Sequence, residues 1–278
     1  MKFVYFGYDQ TLPSVLRLID EGHELIGIFG FECDNIFNFN TECQKLAHSQ
    51  NIPFIISPAE DFHIKSFLDQ GAEAFLTIGY PHKIPPIDET RAYAINVHPA
   101  YLPKARGLMP IPRIIMDHAN EAAGFTAHKM TQDFDAGDIL LQTKFELNTN
   151  ETVETYTAKI AMRSPDMIAQ LMNSLPELWK HAIAQNEKKA SWFKAPTDQE
   201  RFLDWNLNVQ DIDRTGRAFG RFGSLAQING KTWVIYDYDF WEEIHQYEAG
   251  EIVAHSTREI TIAAANGFVC LKDFQPAQ

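Results

Sequence analysis

Apolar residues in the first hundred positions fall into short runs, each closed by a glycine or a turn, with helical spacing between the runs. Residues 3–6 form one run that stops at Gly7, and residues 25–29 a second that stops at Gly30. Between them Leu12, Val15, Leu16 and Ile19 recur at the three-and-four spacing of a single helix face. The alternation continues with a helix over 40–49 capped by Asn40 or Thr41, a strand over 52–56 and a helix over 60–69. A buried strand over 74–78 ends at Gly79, and a fifth strand covers 92–97. Strands that alternate with helices in this way predict an α/β fold with a doubly wound, mostly parallel sheet.

Further along, the pattern predicts a helix over 111–119, a short strand over 126–130 and a weakly alternating strand over 139–147. A long helical region runs from Thr149 to about residue 185, with Pro165 and Pro176 marking breaks or first turns. Residues 191–200 mix Ser, Pro, Thr and Asp and read as a linker. A helix is expected within 202–220. Asn229-Gly230 then sits between two apolar runs, a strong hairpin signal, and strands follow over 251–254, 259–263 and 267–272. The expected organisation is a catalytic domain over 1–190, the linker, and a small β-rich module over 201–278.

Composition narrows the function classes. The chain has 278 residues, 45% of them hydrophobic, enough for a core without a metal or disulfide staple. Cys33, Cys43 and Cys270 are few and widely spaced, which fits free thiols better than a disulfide framework or a zinc site. No apolar run reaches the length of a membrane span, and the N-terminal apolar stretch is too short for a secretion signal, so a cytoplasmic location is expected. The formal net charge is −13. From Glu200 onward twelve acidic residues face seven basic ones, a net of −5, which disfavours nucleic acid as a partner. A small anionic ligand held by one or two arginines is still compatible with that balance. Gly7-Tyr8-Asp9 does not open a dinucleotide fingerprint, so a nicotinamide enzyme has no support.

Candidate chemistry lies between Asn96 and Asp138. Asn96 and His98 are two apart at the end of an expected parallel strand, so both leave the same face where open sheets hold their ligands. Pro99 and Pro103 stiffen the loop that follows. A second segment, Asp133-Phe134-Asp135-Ala136-Gly137-Asp138, gathers three carboxylates around a glycine. Calcium loops need more oxygen ligands at a regular spacing, so no metal is expected. Asp133 and Asp138 read as loop-capping residues.

These two segments resemble the folate-dependent formyltransferases, the superfamily that includes methionyl-tRNA formyltransferase, glycinamide ribonucleotide formyltransferase and the sugar N-formyltransferases. Asn96-Val97-His98 matches the family's Asn-x-His lead, and His98 to Pro103 matches its His-x-x-x-Leu-Pro loop, closed by Arg106-Gly107. Asp135-Ala136-Gly137 matches its Asp-x-Gly segment, and residues 124–130 also look familial. Ala100 and Tyr101 depart from the serine and leucine common in that loop, which bears on the acceptor side.

The resemblance implies Asn96, His98 and Asp135 as catalytic residues and 10-formyltetrahydrofolate as the one-carbon donor. It also implies a Rossmann-like catalytic domain. The donor's pterin is expected beside Ile78, Gly79, Tyr80, Pro81, His82 and Ile84, with Asp138 counted among the donor-binding residues; His82 could equally be a surface residue. Tyr101, Lys104 and Arg106 are assigned to the acceptor, although Arg106 could instead brace the loop. His128 reads as a structural or supporting residue. In mechanistic terms, Asn96 and His98 offer hydrogen bonds to the formyl oxygen, and Asp135 is expected to raise the proton affinity of His98 and to accept the amine proton.

The acidic tail favours a small amine acceptor, a nucleotide-linked (dTDP-) amino sugar, over tRNA. Formyl hydrolysis by the same groups and a non-catalytic folate or sugar-nucleotide binding module are the alternatives. Apolar residues of the tail could serve a homodimer or a second ligand.

Overall fold

The computed structural model describes residues 1–277 and divides into two compact units, the first made of residues 1–110, 120–146 and 157–193. Its strands are β1 (Lys2–Phe6), β2 (Glu24–Phe29), β3 (Phe54–Ile55), β4 (Ala74–Ile78), β5 (Tyr93–His98), β6 (Gly124–Lys129) and β7 (Ile139–Lys144). They form one sheet in the order β3-β2-β1-β4-β5-β6-β7. The first five strands run parallel, and β6 and β7 add antiparallel to β5. The doubly wound, mostly parallel sheet expected from the sequence is therefore present, with an antiparallel edge.

Helices α1 (Leu12–Asp20), α2 (Thr41–Gln50) and α3 (Asp61–Asp69) are the crossovers. β1 and β4 read as continuous apolar runs because helices cover both faces of a parallel sheet. Phe6 stacks on Phe29 at 4.6 Å, and Gly27 leaves room for the Phe67 ring from α3. Each strand ends where its apolar run ends, which is why the sequence pattern located all five.

The chain moves outward from β1 on one side to β2 and β3, then returns to β4 and β5 on the other. Such a reversal of order opens a crevice at the carboxyl ends of the strands, and His98 is the last residue of β5.

Helix α4 (Pro110–Met116) precedes β6, and α5 (Val153–Asn173) and α6 (Leu175–Lys180) follow β7. Pro165 lies inside α5 without ending it, whereas Pro176 sits in the first turn of α6, where its missing N–H costs nothing.

The second unit comprises residues 111–119, 147–156 and 194–278. It holds helix α7 (Val209–Phe219) and strands β8 (Ser224–Ile228), β9 (Lys231–Glu242), β10 (Ile252–His255), β11 (Ile260–Ala264) and β12 (Gly267–Pro276). The sheet is antiparallel, in the order β10-β11-β12-β9-β8. Asn229 and Gly230, both at positive φ, make the tight turn of the β8–β9 hairpin. Val209 and Ile212 from α7 join Ala226, Ile235, Ile262, Val269 and Leu271 in its core.

Cys33, Cys43 and Cys270 are free thiols. Among the described residues no helix is long and apolar enough to cross a membrane, and no His, Cys, Asp and Glu cluster could hold a metal ion.

Candidate active site

Asn96 and His98 project from one face of β5, and the antiparallel register with β6 sets His128 opposite Asn96 and Thr126 opposite His98. Asp135 reaches this group from the loop between β6 and β7. Its Oδ1 lies 3.3 Å from His98 Nδ1 and accepts from Asn96 Nδ2 at 3.2 Å, while Oδ2 accepts the Gly107 N–H at 2.9 Å. The second Asn96 amide hydrogen points to His128 Nε2 at 3.0 Å. His128 Nδ1 is 2.7 Å from the Lys129 carbonyl, which can only accept, so the Nδ1 atom carries the proton and Nε2 receives the Asn96 hydrogen. His98 Nε2 faces the Ala105 carbonyl at 2.8 Å.

Backbone conformation makes this convergence possible. Asp135 sits in the left-handed region at φ 54°, which costs a non-glycine residue roughly 1–2 kcal/mol and aims its carboxylate back toward β5. Two residues on, a methyl at Gly137 would overlap the Lys129 carbonyl oxygen, so only glycine lets the loop lie against the end of β6. Gly107 likewise combines φ 106° with a close approach to the Phe193 carbonyl. The glycines of the Asp-x-Gly and Arg-Gly segments thus serve the same carboxylate: one shapes its loop and the other donates to it.

Electrostatics set the protonation states. Burial pushes the Asp135 carboxyl upward, but the groups around it, the nearby His98 ring and the Gly107 N–H among them, outweigh it and hold the group below its ordinary value. His98 moves the other way from the expectation. Burial of the ring lowers its proton affinity by more than Asp135 raises it, so the net shift is downward. At neutral pH the pair is an ionised Asp135 beside a neutral His98. A neutral imidazole has one N–H, whereas Ala105 O and Asp135 Oδ1 both accept. A proton arriving at this pair therefore finds a second acceptor already in place.

The other expected site residues fall as follows. Ile78 is buried at the end of β4, and Gly79 takes φ 71° where a side chain would press into the Tyr8 ring. Tyr80 is buried with its ring against Phe6 and Phe31, and the exposed His82 ring lies 5.3 Å from it. Pro81 is exposed, and Ile84 packs against the core cluster around Phe6 and Phe29. The backbone carbonyl of Asp138 accepts from Lys129 N, and its carboxylate is 4.0 Å from Lys129 Nζ. Tyr101 and Lys104 are half-buried on the loop after His98, and Lys144 Nζ lies 5.7 Å from the Tyr101 ring centroid.

Arg106 is 1% exposed and all three of its guanidinium nitrogens are engaged. Nε and Nη2 donate to Gln185 Oε1, Nη1 and Nη2 donate to the Glu187 carboxylate, and the guanidinium lies 5.5 Å from the Trp192 ring centroid. The geometry gives Arg106 a bracing part.

Several residues of this site have roles that the sequence does not assign. Thr126 Oγ1 donates to Ala100 O and accepts from Leu102 N, and Gln142 Nε2 bonds both Leu102 O and Thr126, so the two side chains fasten the loop after His98. Ser191-Trp192-Phe193 lies along residues 103–107, with Ser191 N donating to Pro103 O, Arg106 N to Ser191 O and Phe193 N to Arg106 O. Glutamines and serines that act across a fold do so at no fixed sequence spacing; only the folded backbone reveals them.

A cleft of about 420 Å³ opens beside Asp135, lined by Arg106, Gln132, Asp133, Phe134, Ala136, Glu187 and Trp192. Phe134 and Trp192 are both more than half exposed there. A larger cavity of about 560 Å³ lies within the second unit, walled by α7 and β9. It contains none of the residues expected at a catalytic site, so size does not identify the reacting centre here.

Comparison with known proteins adds independent information. A family model described as "Formyl transferase" matches residues 61–172, and one described as "Formyl transferase, C-terminal domain" matches residues 196–278. The chain is 28% identical over 295 residues to the methionyl-tRNA formyltransferase of Lactococcus lactis subsp. cremoris (strain SK11), covering 99% of this chain and 91% of that one. It is 24% identical to the Coxiella burnetii (strain RSA 331 / Henzerling II) methionyl-tRNA formyltransferase, over 99% and 90%.

Among solved structures, the N-formyltransferase from Helicobacter canadensis in complex with folinic acid and dTDP-3-aminofucose superposes with a TM-score of 0.69 at 15% identity, over 99% of both chains. HypX from Aquifex aeolicus in complex with tetrahydrofolic acid gives a TM-score of 0.70 at 16% identity; the match covers this whole chain but only 44% of HypX. At these identities the structural matches establish the fold.

Proposed function

Because this chain belongs to the formyltransferase family, we propose that it moves a formyl group from 10-formyltetrahydrofolate to the primary amine of a small acceptor, a nucleotide-linked (dTDP-) amino sugar. The observation that carries the reading is the meeting of Asn96 Nδ2 and His98 Nδ1 on one oxygen of Asp135, at 3.2 and 3.3 Å, beside an open cleft.

The proposed reaction needs four things from the protein. The acceptor must attack as a free amine, the formyl oxygen must be stabilised as it gains charge, the amine must lose a proton, and the leaving folate nitrogen must gain one. The amine nitrogen bonds to the formyl carbon, which becomes tetrahedral. Asn96 turns one of its two amide hydrogens from its resting partners to the oxygen, a donor worth roughly 3 kcal/mol in the transition state. Asp135, ionised at neutral pH, takes the amine proton, and His98 shares it across the 3.3 Å contact. The proton passes to the folate nitrogen as its bond to carbon breaks, leaving tetrahydrofolate and the N-formyl product. No covalent enzyme intermediate is required. The donor's pterin is assigned to the segment Ile78 to Ile84, with Asp138 beside it. The acceptor is assigned to the cleft next to Phe134 and Trp192, with Tyr101 and Lys104 on the loop after His98.

The small acceptor is supported by the net of −5 from Glu200 onward, which repels a polyanion, and by a fold shared with an enzyme solved with a dTDP-linked amino sugar. The names of the L. lactis and C. burnetii relatives favour a second reading, methionyl-tRNA as acceptor. A donor-coupled screen of amines, read as the mass gain of one formyl group, decides between them. Turnover of dTDP-amino sugars with none of methionyl-tRNA is expected, and the opposite pattern overturns the acceptor. Release of formate without any acceptor would point to hydrolysis instead. We assign the protein to the cytoplasm.

A further inference from the structure

Gln185 occupies a position that neither the motifs nor the family comparison mark. The segment that carries it first pairs with the start of β7, where Ile183 and Ile139 exchange both backbone hydrogen bonds, at 2.8 and 2.9 Å. It then passes over the Asp-x-Gly loop and goes on to line residues 103–107. At the crossing, the Gln185 side-chain amide makes four hydrogen bonds. Its Nε2 donates to Asp135 O at 2.7 Å and Gly137 O at 2.8 Å. Its Oε1 accepts from Arg106 Nε at 3.0 Å and Nη2 at 2.8 Å. One planar group therefore ties together the two loops that bring Asp135 and the residues after His98 into contact.

We propose that Gln185 is a positioning residue that locks the Asp135 loop to the Arg106 loop and thereby fixes the Asp135 carboxylate against the His98 ring. Three features point the same way. Asp135 holds a left-handed backbone, a conformation that persists only when its surroundings determine it, and Gln185 grips the carbonyl of that very residue. Gly107, next to Arg106, supplies the N–H to Asp135 Oδ2, so any slip of the Arg106 loop is felt at the carboxylate. Finally, the guanidinium of Arg106 is buried, and Gln185 Oε1 satisfies two of its donors. Only an amide fits the place, because two acceptors lie on one side and two donors on the other.

This inference rests on the proposed formyl transfer for its kinetic consequence but not for its structural one, and the test separates the two. Gln185→Glu is isosteric. It keeps the acceptors for Arg106 and turns the donors for Asp135 and Gly137 into a repelling oxygen. Gln185→Met removes both arms at similar volume. With 10-formyltetrahydrofolate and the acceptor found by the screen, both variants are expected to lose roughly 100-fold in kcat with little change in the KM for donor, the scale of a displacement of about 1 Å in a catalytic group. Combining Gln185→Glu with Arg106→Lys should cost less than the two separate losses multiplied, because both act through one lock.

An NMR titration of the His98 ring in wild type and the uncharged Gln185→Met needs no turnover. A shift in the pH at which the ring titrates is expected. Unchanged His98 titration in a folded variant, or full kcat, overturns the positioning role. If wild type transfers no formyl group to any amine, the proposed function fails while the titration still decides the role of Gln185.

Discussion

The cavity of the second unit and the cleft beside Asp135 are both lined with charge, but they treat it differently. In the cavity of the second unit, Arg217 is paired with Asp213 four residues earlier on α7, and Lys272 bridges the exposed Asp237 and Asp239. These charges are answered by near neighbours on the same helix or sheet, and solvent weakens the exposed Lys272 pairs. Beside the smaller cleft, His98, Arg106, His128 and Asp135 are all buried, and they come from a strand end, two loops and a second strand. Burying such groups is costly unless each finds partners; here His98, His128 and Asp135 find them in one another, Asn96 and the backbone, and Arg106 finds them in Gln185 and Glu187. The contrast teaches that the informative property of a site is not its volume or its charge but polar groups held from water by elements distant in sequence.

The predictions attack this contrast from its strongest point to its weakest. Removing a member of the buried group should have the largest effect. His98→Ala and Asp135→Ala are each expected to lower kcat for formyl transfer about 1,000-fold, within the range of a lost proton-transfer group, while circular dichroism shows a folded chain. Near-normal turnover in either variant would remove that residue from the mechanism.

Gly137→Ala comes next. Its methyl would overlap the Lys129 carbonyl oxygen, so a loss on the order of 3 kcal/mol in urea denaturation is expected, with activity falling as Asp135 is displaced.

Acid should then act on the buried pair through a definite sign. The folded-state value of Asp135 lies below its ordinary 3.8 and that of His98 below its ordinary 6.5. The unfolded chain therefore binds more protons in both windows, and stability rises with pH through each. The His98 contribution is complete above about pH 6.5 and fades as pH falls below it; the Asp135 contribution fades below about 3.8. His98→Gln should flatten the fall in unfolding free energy between pH 7 and pH 5, and an unchanged slope would refute the assignment.

The smallest effect is expected in the second unit. Lys272→Ala removes an exposed bridge and should leave both the melting midpoint and formyl transfer unchanged. A clear loss of either would show that the answered charges of that unit matter after all.

What the sequence made legible follows the same divide. Strands β1, β2 and β4 announce themselves because a parallel strand covered on both faces needs a near-continuous apolar run, and a glycine or turn must end it. β9 extends to Glu242, well past the apolar run that follows Asn229-Gly230, because Tyr236-Asp237-Tyr238-Asp239 alternates aromatic and acidic residues instead of apolar and polar ones. Pro165 shows the reverse error of emphasis, since a proline can sit within a helix that packing holds in place. At the candidate site, Asn96, His98 and Asp135 stood out because their motifs have fixed spacing. The burial that lowers His98 could not be read from a neighbouring aspartate, and Gln185 was invisible because its three partner residues lie 48 to 79 residues away.

Strand β5 has parity. Its even-numbered residues Asn96 and His98 turn to the crevice, and Ile95 and Val97 turn away, each fixed by a partner on β6. Inserting one residue after Tyr93 would swap the two sets and offer isoleucine and valine to Asp135. Inserting two would restore the face but move the imidazole along the strand by about 6.6 Å, beyond the carboxylate's reach. A change of chain length within this strand therefore cannot be absorbed without taking the imidazole away from the carboxylate.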